Sequence, residues 1–495
     1  MVSSTAPLDM RSTKNSLYDS RKRLKRNASL GSNTGLPEMF LCRHLPMFPS
    51  TDTMLGQSTY VPTALSWILL FAFVIRVATV IPAHIDGSCS DEKEYLFLAH
   101  QMLDGKGFVD SNGDYSIKAP LFPFLIAVCM KAGEGLQFLP YLLVALVGTL
   151  SVYVSYLLAA ALWVDRRRAL FAAGLVAFFP PLVLYGALLM SESLFILLLI
   201  VTLLLVERLT RTDRISFYIL FGIVAGLAVL TRAVFLGLVP LLLVSAGIVR
   251  RRNGAPVGRL FIAFGVWCLV LLPWTVRNYT VHHAFIPVST FGGRSLLIGN
   301  NPYAHGTAKL DPGYDDWLAS KLKARGFSPH EVASEAKEAS LETAIALEYV
   351  AAHPGRFLVL AVQKAHVYWI YPITHRADVR ILQASFMGFD ALLLFCVVAG
   401  TAAISFKLVR FRPIWLTIAF FTGVHMILYA EARYRLPLLP LFCVLAAGSP
   451  PFLQKEWRRD FPGNRHRRLI LLAGSTGVVL VYLLTGLLFL MGEIS

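Results

Sequence analysis

The residues that could carry chemistry lie in a short acidic stretch, Asp91-Glu92-Lys93-Glu94-Tyr95, just after the first long apolar run. The rest of the chain is basic, with 46 Lys and Arg residues against 30 Asp and Glu residues. A carboxylate can act as a general base, and several together can bind Mg²⁺ or Mn²⁺. The stretch therefore indicates a site. The alternative is that Asp91 only caps a helix, because a helix N-terminus stabilises a carboxylate.

Membrane-spanning helices are the elements that must position these residues. The chain has 495 residues, of which 56% are hydrophobic and only 15% are charged, and its mean hydropathy is +0.60. About 20 helical residues cross a hydrocarbon core, and the backbone must satisfy its own hydrogen bonds there. We therefore predict an all-α polytopic protein with about 11 transmembrane helices. They are expected near 62–83, 136–163, 168–189, 192–209, 216–231, 233–249, 259–276, 384–408, 413–430, 434–450 and 469–491.

The distribution of positive charge predicts the topology. Basic clusters such as Arg166-Arg167-Arg168 and Arg250-Arg251-Arg252 lie between apolar runs. Eleven spans and a cytoplasmic N-terminus put all of these clusters on the cytoplasmic side. The loop 84–118 and the segment 277–380 are then outside. The expected location is a bacterial inner membrane, with the active site on its outer face.

Four regions are predicted along the chain. Residues 1–60 form a disordered basic cytoplasmic tail, 61–276 an N-terminal transmembrane module that contains the loop 84–118, 277–380 an outer region, and 381–495 the C-terminal transmembrane helices. In the outer region, Ser328 and Glu331 form a capping box that predicts a helix ending near Ala352. The apolar stretch 357–371 has only about 15 residues, so we interpret it as an interfacial or re-entrant helix.

Several other functional classes are not expected. The positive charge occurs in short clusters between apolar runs, so we predict no nucleic-acid partner. The six cysteines contain no CxxC pair and predict neither a disulfide framework nor a thiolate metal site. The histidines at 282, 283, 353 and 366 lack metal-ligand spacing. No cofactor is assigned, and a divalent cation held by carboxylates stays open.

A series of short motifs occurs in a consistent order along residues 62–450. The motifs are Asp91 with Tyr95, Gly105-Lys106-Gly107-Phe108, Lys118-Ala119-Pro120-Leu121-Phe122-Pro123, Met190–Phe195, Leu230-Thr231-Arg232, Pro273–Tyr279, Gly299–Pro302, His353–Phe357 and Arg433–Pro437. Their order and placement resemble the GT-C glycosyltransferases, and most closely the protein O-mannosyltransferase-like branch that uses a polyprenyl-phosphate sugar. The resemblance implies a GT-C fold with a large outer loop region.

The resemblance also implies an activity and a base. The protein would be a hexosyl- or pentosyltransferase that moves a sugar from a polyprenyl-phosphate donor to a hydroxyl on a protein, lipid or glycan, with inversion. By its position in the family pattern, Asp91 would be the general base, and Asp86 is its rival. Glu92 and Glu94 would orient the acceptor or raise the pKa of Asp91 by like-charge repulsion.

Cations are needed to hold the charge of the leaving phosphate. Lys118 matches the basic residue of the family pattern. Arg232, Arg277, Arg433 and Arg435 lie at outer ends of predicted spans and could join it, although each could instead reach toward lipid headgroups as an anchor. Arg232 has few polar neighbours in the sequence, which favours a functional role. Arg76, inside the first span, is interpreted as extending toward the membrane surface.

Two other kinds of protein remain as alternatives. A transporter or flippase of a lipid-linked substrate would show internal repeats and ionisable residues at mid-membrane depth. An oligosaccharide ligase or polymerase also places basic residues in an outer loop, but its expected pattern lacks a carboxylate pair after the first span.

Overall fold

The computed structural model describes residues 62–83, 90–133, 136, 138–327, 335–371, 373, 386–394, 396–398 and 408–449. The regular structure within these ranges is helical, apart from one isolated β-bridge between Ala304 and Leu310. Asp86, Ser328, Glu331, the tail 1–60 and the predicted last span lie outside the described residues. The all-α class predicted from composition is confirmed.

Seventeen α-helices follow one another along the described ranges. They are α1 (Thr63–Ala83), α2 (Ser90–Leu103), α3 (Leu121–Ala132), α4 (Leu139–Trp163), α5 (Arg166–Phe178), α6 (Pro180–Tyr185), α7 (Ser191–Leu209), α8 (Ile215–Thr231), α9 (Leu238–Arg252), α10 (Leu260–His282), α11 (Phe291–Gly299), α12 (Tyr314–Lys323), α13 (Glu335–Ala352), α14 (Pro354–Ile370), α15 (Phe386–Val398), α16 (Leu408–Ile427) and α17 (Leu439–Ala446). Two 3₁₀ helices, Ala233–Gly237 and Ala432–Leu438, precede α9 and α17.

Within the part of the chain that the structure describes, four helical segments are long and apolar enough to cross a membrane. They are Thr63–Ile81, Leu139–Trp163, Ala233–Arg252 and Leu260–His282. A fifth span results if α13 and α14, which meet at an angle of 109°, are counted as one. The protein is therefore a multi-pass membrane protein, and the predicted count of about 11 spans is not confirmed. The predicted break at Thr231-Arg232 is present, because α8 ends at Thr231 and the 3₁₀ helix begins at Ala233.

The N-terminal helices form the main packed core. α4 packs against α5 and α7, and α8 packs against α7 and α10. The contact between α8 and α10 depends on small residues, since a Cβ added at Gly222 or Gly226 would lie 2.6–2.7 Å from atoms of α10. Close helix–helix contact through glycine is a common solution within membranes. This core fixes the start of α7, which carries Glu192, and the end of α8, which is followed by Arg232.

The predicted span 168–189 is interrupted, and Arg76 explains how the interruption is tolerated. Pro180 and Pro181 have no N–H, so the carbonyls of Val176 and Ala177 lose their partners in the helix ladder. Arg76 replaces them: its Nη2 donates to Val176 O at 3.3 Å and its Nη1 to Ala177 O at 3.2 Å. The side chain is buried, so the expectation that Arg76 extends to the membrane surface was wrong.

Adding a methyl group next to Arg76 is expected to destabilise the protein. A Cβ at Gly148 would lie 2.8 Å from Arg76 Nε. We expect Gly148→Ala to cost about 1–3 kcal/mol, because the crowded guanidinium cannot move without losing its carbonyl partners. The measurement is thermal unfolding in detergent. Gly174→Ala is the control, because that helical position has no neighbouring atom within 4 Å of the added Cβ. Equal stability of the two variants would contradict the prediction.

Candidate active site

The helical spacing of Tyr95, Leu98, Ala99 and Met102 predicts a short helix from Glu92 to Leu103 on the membrane surface, and the structure has a helix close to these bounds. It begins at Ser90 and ends at Leu103, and Asp91 and Glu92 lie in its first turn. The Tyr95 hydroxyl donates to Ser191 Oγ at 3.1 Å, which joins this helix to the start of α7. The Tyr95 ring also packs edge-on against Phe122 of α3. The surface helix is thus fixed on two sides, and its first turn has a defined position.

Two cations engage both carboxylate oxygens of Asp91. Lys118 Nζ donates to Oδ1 at 2.9 Å, and Arg433 Nη1 donates to Oδ2 at 2.5 Å. Arg433 also donates through Nε to Glu431 at 2.6 Å. These four side chains are 25–29% exposed, so the cluster is half-buried but accessible. Burial would raise the pKa of Asp91, but the charges and hydrogen bonds of Lys118 and Arg433 outweigh it and hold that pKa well below its usual range.

A second ion pair adjoins this cluster. Arg232 Nη1 lies 3.1 Å from Glu192 Oε1, and the Glu192 side chain is almost fully buried. The guanidinium groups of Arg232 and Arg433 both lie 5.6 Å from the centre of the Tyr434 ring. Burial would lower the pKa of Arg433, but the charges of Glu192, Glu431 and Asp91 raise it. The two ion pairs therefore form one electrostatic unit around Tyr434.

The outer region holds the segment that presents Glu431 and Arg433. Asn300 Nδ2 and the buried Lys364 Nζ donate to Ile427 O at 2.8 and 3.0 Å. Ala430 N donates to Gly306 O at 2.9 Å. The following 3₁₀ helix, Ala432–Leu438, packs against α14 and α7. The glycine- and asparagine-rich motif at 299–302 thus has a positioning role for the site.

Two of the predicted carboxylates have partners elsewhere. Glu92 is buried and accepts a hydrogen bond from Leu189 N at 3.2 Å. Glu94 accepts from Ser111 N at 3.0 Å and from Ser111 Oγ at 2.6 Å. These contacts join the first turns of α2 to the residues just before α7 and to the outer loop. The structure therefore brings Asp91 into the cationic cluster and gives Glu92 and Glu94 supporting contacts.

Arg277 and Arg435 also lie in separate environments. Arg277 donates to Tyr115 O at 2.7 Å and to Phe108 O at 3.0 Å, and its guanidinium is 4.6 Å from the Trp274 ring centre. It therefore holds the outer loop that leads to Lys118. Arg435 is buried and donates to Asp390 Oδ2 at 2.5 Å. Of the five predicted phosphate-binding cations, Lys118, Arg232 and Arg433 converge.

Glu192 and Glu431 are the charged site residues that the sequence analysis missed. Glu192 lies within the motif Met190–Phe195, but that motif carried no chemical role. The feature that could have indicated Glu192 is its place as a lone carboxylate in the first turn of an otherwise apolar helix. Burying such a charge has a high free-energy cost unless it is paired. Glu431 is two residues from Arg433 at the end of an apolar run, and that spacing alone does not distinguish a site from a surface ion pair.

The cluster does not fit a divalent cation. Within the described ranges, no three His, Cys, Asp or Glu side chains converge as metal ligands. Asp91 and Glu431 are both paired with Arg433. A divalent cation such as Mg²⁺ or Mn²⁺ would be repelled there by Arg433 and Lys118.

An acidic group in the outer loop predicts a dependence of stability on pH. Burial and the charges of Asp110 and Glu335 raise the pKa of Asp114 from 3.8 to about 6. The folded protein then binds this proton more tightly than the unfolded chain, so stability falls as pH rises from about 4 to about 6. We expect Asp114→Asn to raise the Tm at pH 7.5 and to raise it less at pH 4.5. An equal shift at both pH values would contradict the prediction.

Comparison with known proteins connects part of this site to a family. Residues 117–275 match the family model of dolichyl-phosphate-mannose-protein mannosyltransferases. The matched segment contains Lys118, Glu192 and Arg232, whereas Asp91 and Arg433 lie outside it. None of the curated proteins matches the chain in sequence.

The chain also aligns with solved structures at low sequence identity. The chain aligns with the archaeal oligosaccharyltransferase AglB from Archaeoglobus fulgidus, in complex with an inhibitory peptide and a dolichol-phosphate, at 16% identity and a TM-score of 0.49. That alignment covers 88% of this chain and 56% of AglB, so the chain spans little more than half of that enzyme. ArnT from Cupriavidus metallidurans bound to undecaprenyl phosphate aligns at 18% identity and a TM-score of 0.38, over 78% of this chain and 77% of ArnT. The family match confirms, for residues 117–275, the resemblance to the protein O-mannosyltransferase-like family that the motifs predict.

Proposed function

We propose that this protein transfers a sugar from a polyprenyl-phosphate carrier to a hydroxyl acceptor at the outer face of the membrane. The observation that supports it most is the convergence of Asp91 with Lys118 and Arg433 in one accessible cluster. A carboxylate can take the proton of a hydroxyl, and the two cations can hold a phosphate. The donor class follows the name of the matched family, dolichyl-phosphate-mannose-protein mannosyltransferase.

The proposed reaction is a single displacement at the anomeric carbon. The acceptor oxygen forms a bond to that carbon while the bond from the carbon to the phosphate oxygen breaks. The bonding pair leaves with the polyprenyl phosphate, whose charge is held by Lys118 and Arg433. The acceptor proton goes to Asp91. A phosphate monoester is a weakly basic leaving group, so no general acid is required, and the configuration of the sugar inverts.

The orientation of the protein is part of the proposal. Basic clusters between the apolar runs support a cytoplasmic N-terminus and an external site. A bacterial inner membrane is the proposed location, and the acceptor can be a protein, a lipid or a glycan. The sugar is to be found by experiment, because the walls that would select it lie in the outer region, where the family model does not match.

A transfer assay with purified protein tests the function. We expect the wild type to transfer sugar from at least one member of a panel of polyprenyl-phosphate sugars, and Asp91→Asn to be slower by about 10²–10⁴-fold. The control is Asp104→Asn, which removes an exposed carboxylate that pairs with Lys106 on the same loop. Full transfer by Asp91→Asn would overturn the base assignment. No donor turnover, together with flux of the lipid in vesicles, would favour a transporter or flippase.

A further inference from the structure

Asp91 and the donor phosphate require the same two cations. The hydrogen bonds from Lys118 and Arg433 to Asp91 use the donor groups that would hold a phosphate. Their other contacts limit how far they can move, because Arg433 is held by Glu431 and Lys118 Nζ lies 5.5 Å from the Tyr95 ring centre. A phosphate that accepts from these same N–H groups must therefore take the place of the Asp91 carboxylate.

The charges of the cluster are balanced before a phosphate enters. In the two adjoining groups of ion pairs, three carboxylates (Asp91, Glu192 and Glu431) face three cations (Lys118, Arg232 and Arg433). The other titratable groups close to Asp91 and Arg433 include the phenols of Tyr95, Tyr429 and Tyr434, which are uncharged at neutral pH. The buried His425 ring also stacks on Tyr434, with 4.8 Å between the ring centres. A phosphodiester monoanion would leave the cluster with one negative charge in excess. Uptake of one proton by Asp91 would restore the balance, and in the transfer reaction that proton comes from the acceptor hydroxyl.

We propose that the donor phosphate displaces the Asp91 carboxylate from Lys118 and Arg433, and that this displacement turns Asp91 from a counter-ion into a base. This inference rests on the proposed function. A carboxylate paired with two cations has little affinity for a proton, whereas one that has lost them and faces a new negative charge has much more. The donor therefore activates the base that reacts with the acceptor, and productive binding is ordered, with donor first.

The decisive measurement is the affinity for a lipid phosphodiester that cannot react. Farnesyl methyl phosphate carries the single negative charge of a glycosyl phosphodiester and has no proton to exchange near neutral pH. We expect Asp91→Asn to bind it about tenfold or more tightly than the wild type, as measured by calorimetry in detergent, because the competing carboxylate is gone. Asp104→Asn should bind like the wild type. Equal or weaker binding by a folded Asp91→Asn would overturn the displacement.

Proton uptake provides a second readout that needs no variant. In the wild type at about pH 5.5, binding of farnesyl methyl phosphate should take up protons, as shown by a binding enthalpy that depends on the ionisation enthalpy of the buffer. Absence of uptake and of an affinity gain would overturn the inference even if sugar transfer is observed. Tighter binding by Asp91→Asn without sugar transfer by the wild type would instead overturn only the proposed function.

Discussion

Replacing Arg433 with glutamine is expected to lower kcat/KM for sugar transfer by about 10²–10³-fold. Arg433 is the one side chain in the described site that contacts both Asp91 and Glu431, and it lies over the Tyr434 ring. Its charge would stabilise the leaving phosphate as the bond to the sugar breaks. Its loss also leaves Asp91 with Lys118 alone. The measurement is steady-state transfer with the best donor of the panel.

Arg433→Lys separates charge from geometry in the same assay. A guanidinium can donate to Asp91 through Nη1 and to Glu431 through Nε at once, whereas an ammonium is a single point of charge. We expect the lysine variant to recover only part of the lost activity. Arg325→Gln is the matched control, because it removes an arginine from an ion pair with the exposed Glu348. Wild-type activity in a correctly folded Arg433→Gln would contradict the assignment of Arg433 to the phosphate.

Loss of either partner of the pair formed by Glu192 and Arg232 is expected to destabilise the fold by about 3–5 kcal/mol. The Glu192 side chain is 3% exposed, so Glu192→Gln leaves the Arg232 charge without its counter-charge in a poorly solvated place. The double variant Glu192→Gln with Arg232→Met should lose much less than the sum of the single variants, because it leaves no uncompensated charge. Unfolding of the four proteins in detergent measures this coupling.

An exposed ion pair provides the control for these stability measurements. Lys106 and Asp104 form an exposed ion pair on the outer loop, and Lys106→Met is expected to change the free energy of unfolding by no more than about 1 kcal/mol. Additive losses for Glu192 and Arg232 would show that the two side chains are not coupled. Sugar transfer in the double variant then reports on the site separately from folding.

Local patterns predicted the elements of the site better than its contacts. The spacing of Tyr95, Leu98 and Met102 predicted the surface helix, and Thr231-Arg232 predicted the break after α8. Arg433 meets Asp91 across 342 positions of sequence, so no local pattern could show that contact. The family resemblance assigned both Asp91 and Arg433 to one site, because it rests on the order of motifs along the whole chain and does not require them to be close in sequence.

The roles of charged residues near span ends were the hardest feature of the site to predict from the sequence. An arginine that binds a headgroup, one that holds a loop and one that pairs with a buried carboxylate have the same local context. Arg277, Arg435 and Arg232 illustrate the difference, because their partners are backbone carbonyls of the outer loop, Asp390 and Glu192. Partners this distant in sequence become visible only when the helices are packed.

The contact between Arg76 and the carbonyls of Val176 and Ala177 has a consequence for biogenesis. Helix α1 is made about a hundred residues before its partner carbonyls, as the separations of 100 and 101 positions show. During that interval it must remain in the bilayer with an arginine whose insertion costs about 2.5–3.5 kcal/mol at the centre of a helix. The segment 166–185 then supplies the missing acceptors, so the first helix becomes a secure anchor only after the fifth and sixth have been inserted.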